Sequence, residues 1–155
     1  MELLRDNNWI LTIGTFQPMV GVLIMLFIPK ADEVAHKAVA LATAIATLAV
    51  GVWTLVLFDY GQAEKLQFVA DAKWISIIKS SYLIGLDGIS LPMYFLSMVV
   101  TVLVMIYSWD HIPSPGNPKA FLILMLILQT GMAGTFIAQD LVLFFVFFEV
   151  VLLPM

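Results

Sequence analysis

Glu149 is the residue of this sequence whose type and position best suit chemistry. It is an ionisable side chain within a long apolar segment, eight residues after Leu141, which places it about 12 Å along a membrane-spanning helix. A carboxyl group at that depth costs about 2–3 kcal/mol on insertion scales and is commonly functional. Because hydrocarbon disfavours the ionised form, a moving neighbour could switch the group between two protonation states, as a proton relay requires. The alternative is a permanently protonated Glu149 that hydrogen-bonds a neighbouring helix.

Gln129 matches Glu149 in depth. It lies ten residues before Gln139, and Glu149 lies ten residues after Gln139. An antiparallel pair of helices would therefore hold both side chains at about the same depth, although the spacing does not fix their rotation. Gln129 is interpreted either as a structural hydrogen-bonding group or as part of a proton path. The residues around it are small enough for two helices to approach closely: Thr130, Gly131, Gly134 and Thr135.

Pro154 and Asp87 are the other polar or helix-breaking positions of interest. Pro154 lacks the N–H that would bond to the Val150 carbonyl, so it loosens the helix just beyond Glu149. Prolines are nevertheless common in membrane helices, and this signal is weak alone. Asp87 and Ser90 precede an apolar run and predict the N-terminal cap of a helix, with ion binding as the alternative.

Other kinds of site have no support in the sequence. The chain contains no cysteine, and its two histidines, His36 and His111, fall in separate loops. These residues do not offer the ligand spacing of a metal site. A nucleophile–base pair and a glycine-rich phosphate loop are also missing from the sequence. We therefore predict no metal or cofactor site in this chain and no catalysis confined to it.

The composition is that of a membrane protein. Hydrophobic residues make up 62% of the chain and charged residues 12%, whereas soluble domains contain about 25% charged residues. The net charge is −4 and no basic patch is present, which argues against nucleic-acid binding. The composition therefore predicts a protein that is embedded in the lipid bilayer.

Five apolar segments predict a polytopic helix bundle, an all-α membrane protein with a single membrane domain over 1–155. A helix needs about 20 residues to cross the hydrocarbon. The first four segments reach about this length, whereas the fifth rises only about 22 Å. We therefore expect the fifth helix to be cut short and the chain to be a piece of something larger. The predicted helices are 9–28, 38–58, 89–109, 120–138 and 141–155.

The stretch 59–87 is predicted to lie outside the membrane. Leu66 and Phe68 alternate with polar residues, and Ile75 and Ile77 repeat the alternation. This pattern favours a short β-hairpin, with an interfacial amphipathic helix as the alternative. Four basic residues fall on one side of the membrane and three on the other, so charge does not determine the orientation.

The chain from residue 85 onwards resembles a known family. Segment 85–92 reads Gly-Leu-Asp-Gly-Ile-Ser-Leu-Pro, and segment 147–155 reads Phe-Phe-Glu-Val-Val-Leu-Leu-Pro-Met. With segments 107–109 and 136–145, they resemble subunit M, the chain 4 type, of the proton-translocating NADH:quinone oxidoreductase, respiratory complex I. The D-type subunit of multi-subunit Na⁺/H⁺ antiporters shares much of the pattern and is the alternative. Residues 1–84 fit in their hydropathy alone.

The resemblance implies a membrane-arm subunit that couples electron transfer from NADH to quinone to proton translocation. It also implies the N-terminal part of an antiporter-like fold with inverted repeats. Glu149 falls on the glutamate that, in the family, pairs with a lysine of a later helix. NADH, FMN, iron–sulfur clusters and quinone would bind elsewhere in the complex, and L-, N- and K-type membrane subunits would be the neighbours.

The resemblance further implies a location and an orientation. It favours the cell (inner) membrane, with mitochondrial and thylakoid membranes as alternatives, and places the N terminus outside the cytoplasm. It also implies a hairpin between the second and third helices. The rival hypothesis from a different class is a structural membrane scaffold that does not pump, in which Glu149 is an interhelical hydrogen-bonding group.

Overall fold

A computed structural model of the chain describes residues 9–75, 77, 80–112 and 116–154. Within these residues, four helices are long and apolar enough to cross a membrane, and a shorter apolar helix follows them. The chain is therefore a multi-pass membrane protein, as the composition predicts. The helices are α1 (Trp9–Phe27), α2 (Glu33–Leu57), α3 (Ser90–Tyr107), α4 (Pro118–Ile137) and α5 (Leu141–Leu152), with a 3₁₀ turn at Tyr60–Gln62.

Two helix limits differ from the prediction by three residues or more, and the others agree within two residues. Helix α2 begins at Glu33 rather than at residue 38, because the Asp32 side chain accepts a hydrogen bond from the Ala35 N–H and caps the helix. Helix α5 ends at Leu152, and Pro154 follows it in a turn. This limit is physically consistent with Pro154, which has no N–H to extend the helical hydrogen bonds. Met155 lies outside the described residues.

The stretch between α2 and α3 contains an antiparallel β-hairpin of β1 (Gln67–Ile75) and β2 (Ser80–Leu86). The hairpin prediction is confirmed, and the amphipathic-helix alternative is wrong. Phe68 and Ile75, one from each alternating stretch, belong to one strand, in which Asp71 pairs with Leu83 and Lys73 with Ser81. Leu66 and Ile77 lie outside this strand. Phe68 lies in the irregular part of β1 with a φ of 55°, a conformation that is unusual for a residue with a side chain and typical of bulges.

The hairpin packs on the turn between α4 and α5. The Gln139 N–H donates to the Leu83 carbonyl at 2.9 Å, and Ile84 forms a β-bridge with Ala138. The Tyr82 hydroxyl is 3.1 Å from the Thr12 hydroxyl near the start of α1. The hairpin therefore lies at the end of the bundle where α1, α3 and α5 begin.

The opposite end of the bundle is held by lysines. Lys119 Nζ donates to the Ile28 carbonyl at 2.7 Å and to the Leu26 carbonyl at 3.3 Å, at the end of α1. Lys37 Nζ donates to the Trp109 carbonyl just after α3 at 2.6 Å. Cations at the C-terminal ends of helices satisfy free carbonyl groups and interact favourably with the helix dipole.

The apolar interior consists of two clusters along the bundle axis. The cluster near the hairpin includes Leu11, Tyr94, Met98, Ala133 and Ile137. The far cluster includes Val22, Ala44, Val102 and Leu126. Between them, buried polar side chains come from all four long helices: Thr15, Thr47, Thr101 and Gln129. The middle of the bundle is therefore a polar layer within an apolar core.

Candidate functional site

Glu149 lies on the outer face of α5. Its side chain is exposed, and it shares that face with four exposed apolar side chains: Phe145, Val146, Leu152 and Leu153. Among the described residues, no side chain or backbone group hydrogen-bonds its carboxyl group or forms an ion pair with it. Within the described residues, neither the helices α1 to α4 nor α5 itself therefore provides a partner for this carboxyl group.

The inner face of α5 packs closely on α4. A Cβ atom added to Gly131 would lie 2.8 Å from Val151 Cγ2 and 3.0 Å from the Val151 nitrogen. One added to Gly134 would overlap the ring of Phe147. The close approach predicted from the small residues of α4 is therefore confirmed. It fixes the rotation of α5, with Phe147 and Val151 turned towards α4.

The structure does not bring Gln129 and Glu149 together. Each lies eight residues from its helix end at the α4–α5 turn, a rise of about 12 Å, so the predicted match in depth is correct. Glu149 is two residues from both Phe147 and Val151, about 200° around the helix from the face that contacts α4. Gln129 is completely buried within the bundle. The two polar side chains point to opposite sides of the α4–α5 contact.

Gln129 has no hydrogen-bond partner within the described part of the chain, for either its amide nitrogen or its amide oxygen. Thr15 and Tyr94 are also fully buried. Their hydroxyl groups lie beside each other without a well-formed hydrogen bond. The other hydroxyls of the polar layer donate to the backbone one turn earlier, such as Thr47 to the Thr43 carbonyl at 2.9 Å. Gln129 and Thr15 of this layer, and Tyr94 of the neighbouring cluster beside Thr15, are therefore the groups whose hydrogen bonds the described residues do not satisfy.

Asp87 caps α3, as its position before an apolar run predicts. Its Oδ1 atom accepts hydrogen bonds from the Ser90 N–H at 2.7 Å and from the Ile89 N–H at 3.0 Å. The hydrogen bonds from Ser90 lower the pKa of Asp87, because they stabilise the carboxylate. The carboxyl group of Asp87 is therefore structural in this arrangement.

Asp140 joins the hairpin to the start of α5, a role that sequence reasoning missed. Its carboxylate accepts from the N–H groups of Val142 at 2.9 Å and Leu143 at 3.1 Å. It also accepts from the Ser80 hydroxyl at 2.9 Å and the Ser81 N–H at 3.3 Å. These hydrogen bonds, with that from Leu143 the largest effect, lower the pKa of Asp140. An Asp directly before an apolar run is an N-cap signal that could have revealed the local half of this role.

The histidines of the described segments make local contacts. His36 Nε2 is 3.1 Å from the Pro29 carbonyl, and His111 Nδ1 is 3.0 Å from the Tyr107 carbonyl. No group of three His, Cys, Asp or Glu side chains that could hold a metal ion comes together within the described ranges. Among these ranges, Glu149 on the outer face of α5 and the polar layer around Gln129 remain the candidate functional groups.

Comparisons with known proteins give one family that matches most of the chain. Residues 14–135 match the family described as NADH-ubiquinone oxidoreductase chain 4, amino terminus. The chain is 36% identical over 155 residues to NAD(P)H-quinone oxidoreductase chain 4, chloroplastic, of Mesostigma viride, covering 96% of this chain and 29% of the relative. It is 34% identical to NADH-ubiquinone oxidoreductase chain 4 of Chondrus crispus, over 100% of this chain and 30% of the relative.

A third relative differs in its name. F(420)H(2) dehydrogenase subunit M of Methanosarcina mazei is 31% identical over 111 residues, covering 72% of this chain and 22% of the relative. The chain thus spans less than a third of the length of these relatives. The family match covers most of the chain and includes the hairpin and helices α2 and α3 completely. The chain therefore belongs to the NADH-ubiquinone oxidoreductase chain 4 family, in the region that corresponds to the amino terminus of its members.

Proposed function

We propose that this chain is part of a membrane-arm subunit of an NADH:quinone oxidoreductase, which couples electron transfer from NADH to quinone to proton translocation. Glu149 is the proton-carrying group in this proposal. The observation that supports it most is the free carboxyl group of Glu149 at about 12 Å from the helix start, on a face of α5 that α1 to α4 do not cover. The printed names of the relatives supply the reaction.

The outer face of α5 requires a partner in the complete protein. A carboxylate that faces lipid near the membrane centre costs about 2–3 kcal/mol, whereas a cation packed beside it favours the ionised form. The family resemblance supplies a lysine on a later helix as that cation. A change in the distance between the two groups would then bind and release a proton at Glu149.

The redox chemistry belongs to other parts of the complex in this proposal. The chain has no cysteine, and protein iron–sulfur clusters are held mainly by cysteine thiolates. We therefore assign NADH, FMN, iron–sulfur clusters and quinone to other subunits, and L-, N- and K-type membrane subunits to the neighbouring positions. We place the subunit in the cell (inner) membrane, with an organelle membrane as the alternative that the chloroplastic names of relatives support.

Substitution of Glu149 in the complete enzyme tests the proposal. We expect Glu149→Gln to remove most NADH-driven acidification in sealed membrane vesicles, because the amide cannot bind or release a proton. Glu149→Asp, which keeps the carboxyl group, should retain part of it. Assembly of the complex, measured on native gels, should stay near the wild-type level in both variants.

Each rival function predicts a different result. A structural scaffold would lose the assembled complex with Glu149→Gln, and normal acidification by that variant would contradict the proton-carrying role. An antiporter outside respiration would show acidification that depends on a Na⁺ gradient and not on NADH. The similarity to the F(420)H(2) dehydrogenase subunit favours a second candidate, in which the same membrane step is driven by a different electron donor. Replacing NADH with reduced F420 in the same assay separates these two.

A further inference from the structure

Most of the buried polar atoms that lack a partner belong to three side chains in the bundle interior. Within the described part of the chain, five buried side-chain polar atoms form no hydrogen bond. Four of them are the Thr15 hydroxyl on α1, the Tyr94 hydroxyl on α3 and both amide atoms of Gln129 on α4. The fifth is Nδ1 of His36, near the start of α2 at the opposite end of the bundle from the hairpin. Three helices therefore supply unsatisfied groups to the interior.

Thr15 and Gln129 lie at the same level of the bundle. One turn nearer the hairpin, Leu11 of α1 and Ala133 of α4 belong to the same apolar cluster. One turn further from the hairpin, Leu126 of α4 belongs to the far cluster. Helices α1 and α4 pack against each other, and both polar side chains are fully buried. Thr15 and Gln129 therefore face the same part of the interior, between the two clusters.

The Tyr94 hydroxyl extends this region to the backbone of α1. It lies beside the Thr15 hydroxyl, and a Cβ atom added to Gly14 would overlap it. Pro18 lies inside α1 and has no N–H, so the Gly14 carbonyl loses its usual helical partner. Gly14 and Pro18 are both buried. The region therefore contains a backbone acceptor without its helical donor, as well as hydroxyl and amide groups.

These groups cannot be reached from outside the bundle. Thr15, Tyr94 and Gln129 are each 0% exposed, and this burial comes from the helices of the chain itself. Helices that the complete protein adds around the bundle therefore do not supply the missing partners. A molecule that supplies them must be small, and it must both donate and accept hydrogen bonds, because the Gln129 amide contains a donor and an acceptor. Water meets both requirements, whereas a metal cation accepts no hydrogen bond.

We propose that the middle of the bundle binds at least one water molecule, held by Thr15, Tyr94, Gln129 and the Gly14 carbonyl. A buried water molecule makes about three hydrogen bonds to groups that are otherwise unsatisfied, and these residues provide both donors and acceptors. The water joins α1, α3 and α4 through hydrogen bonds within the polar layer. The proposal does not rest on proton transfer by Glu149, which lies on the other side of the α4–α5 contact.

Brief X-ray irradiation of the complete complex, followed by mass spectrometry, tests this inference. Radiation converts bound water to hydroxyl radicals, which oxidise the side chains beside it even where bulk water does not reach. We expect Tyr94 to be oxidised well above the level of Met25, which is equally buried but lies in the apolar far cluster. Methionine is itself easily oxidised, so Met25 is a stringent reference.

Two variants of similar side-chain shape show whether Thr15 holds the water. Thr15→Val removes a hydroxyl that has no partner among the described residues, and it should lose most of the Tyr94 oxidation. Thr47→Val is the matched control, because the Thr47 hydroxyl of the same layer already donates to the Thr43 carbonyl. This control should keep the oxidation of Tyr94. Gln129→Met removes the amide together with its water, and replacement of both partners by an apolar side chain is nearly neutral for stability.

Three results would overturn the proposal. The first is oxidation of Tyr94 no higher than that of Met25 in the wild-type complex, a result that does not depend on the folding of any variant. The second is oxidation of Tyr94 that Thr15→Val leaves unchanged. The third is an equal loss in Thr15→Val and Thr47→Val, which would show an effect of packing and not of the Thr15 hydroxyl. Because the assay does not use NADH, its result is separate from that of the Glu149 variants.

Discussion

Asp140 lies directly before the short helix α5 and Glu149 lies within it, and the structure gives their carboxyl groups opposite surroundings. Asp140, directly before α5, accepts four hydrogen bonds from the helix and from the hairpin. Glu149, nine residues later, accepts none within the described residues, and it faces away from the other helices. The first carboxyl group holds the fold together, whereas the second adds nothing to the packing of α1 to α4.

This difference has a physical cause in the position of each acidic residue along the helix. A carboxylate at a helix N-terminus near the membrane surface is stabilised by N–H groups and by the helix dipole. An acidic residue in the middle of a helix has no such donors, because the backbone N–H groups there are already bonded. The proposed function of Glu149 therefore needs a partner outside α1 to α5.

Among the changes that test the difference between Asp140 and Glu149, Gly134→Leu should have the largest effect. It removes the contact between α4 and α5 that turns Glu149 outwards. The new side chain would overlap the ring of Phe147, and overpacking of this kind costs about 1–3 kcal/mol or more. We expect a large loss of assembled complex on native gels. Ala42→Leu, on the exposed face of α2, is the control and should assemble normally. Normal assembly of Gly134→Leu would show that α4 and α5 do not pack in this way.

Gln129→Met tests whether equal depth implies a shared role. Gln129 points away from Glu149 and has no hydrogen bond within the described segments, and an unsatisfied buried polar group costs about 1–3 kcal/mol. We expect the variant to be at least as stable as the wild type in thermal unfolding, with normal acidification of vesicles. A loss of acidification in a fully assembled complex would instead place Gln129 on the proton path.

The loss of thermal stability at acid pH, caused by carboxylates at the hairpin end of the bundle, should be the smallest effect. The pKa values of Asp87 and Asp140 are lowered in the folded chain, so their carboxylates stabilise it above the unfolded value of about 3.9. This contribution is lost as the pH falls through the lower folded values. We expect the thermal midpoint to be constant from neutral pH to about 4 and to fall below that. In Asp140→Asn the thermal midpoint should fall less steeply below this pH. A pH profile identical to that of the wild type would contradict the stabilising role of the Asp140 carboxylate.

The sequence predicts well what depends on local pattern and length. The four long helices follow from apolar segments of about 20 residues. The alternation around Phe68 and Ile75 predicts a hairpin, although both residues lie in its first strand. The cap at Asp87 follows from its position before an apolar run. Each of these features is determined by residues that are close together in the chain, so one sequence is sufficient to predict it.

Features that depend on contacts between residues far apart in the chain are harder to predict from the sequence. The ten-residue spacings around Gln139 give the depth of Gln129 and Glu149 correctly. Their rotation depends on how Gly131 and Gly134 of α4 meet α5, which spacing does not encode. The link from Asp140 to Ser80 joins residues 60 positions apart. The position of Asp140 before an apolar run could have revealed the capping half of that link, but not the half that binds the hairpin.

The most direct measurement is the number of protons translocated per NADH oxidised by Glu149→Gln and Asp140→Asn, side by side in the same vesicles. Asp140→Asn should keep the wild-type ratio in whatever complex assembles, because its carboxyl group is structural. Glu149→Gln should assemble normally and show a much lower ratio. An unchanged ratio in Glu149→Gln would contradict the assignment of Glu149 as the proton-carrying group.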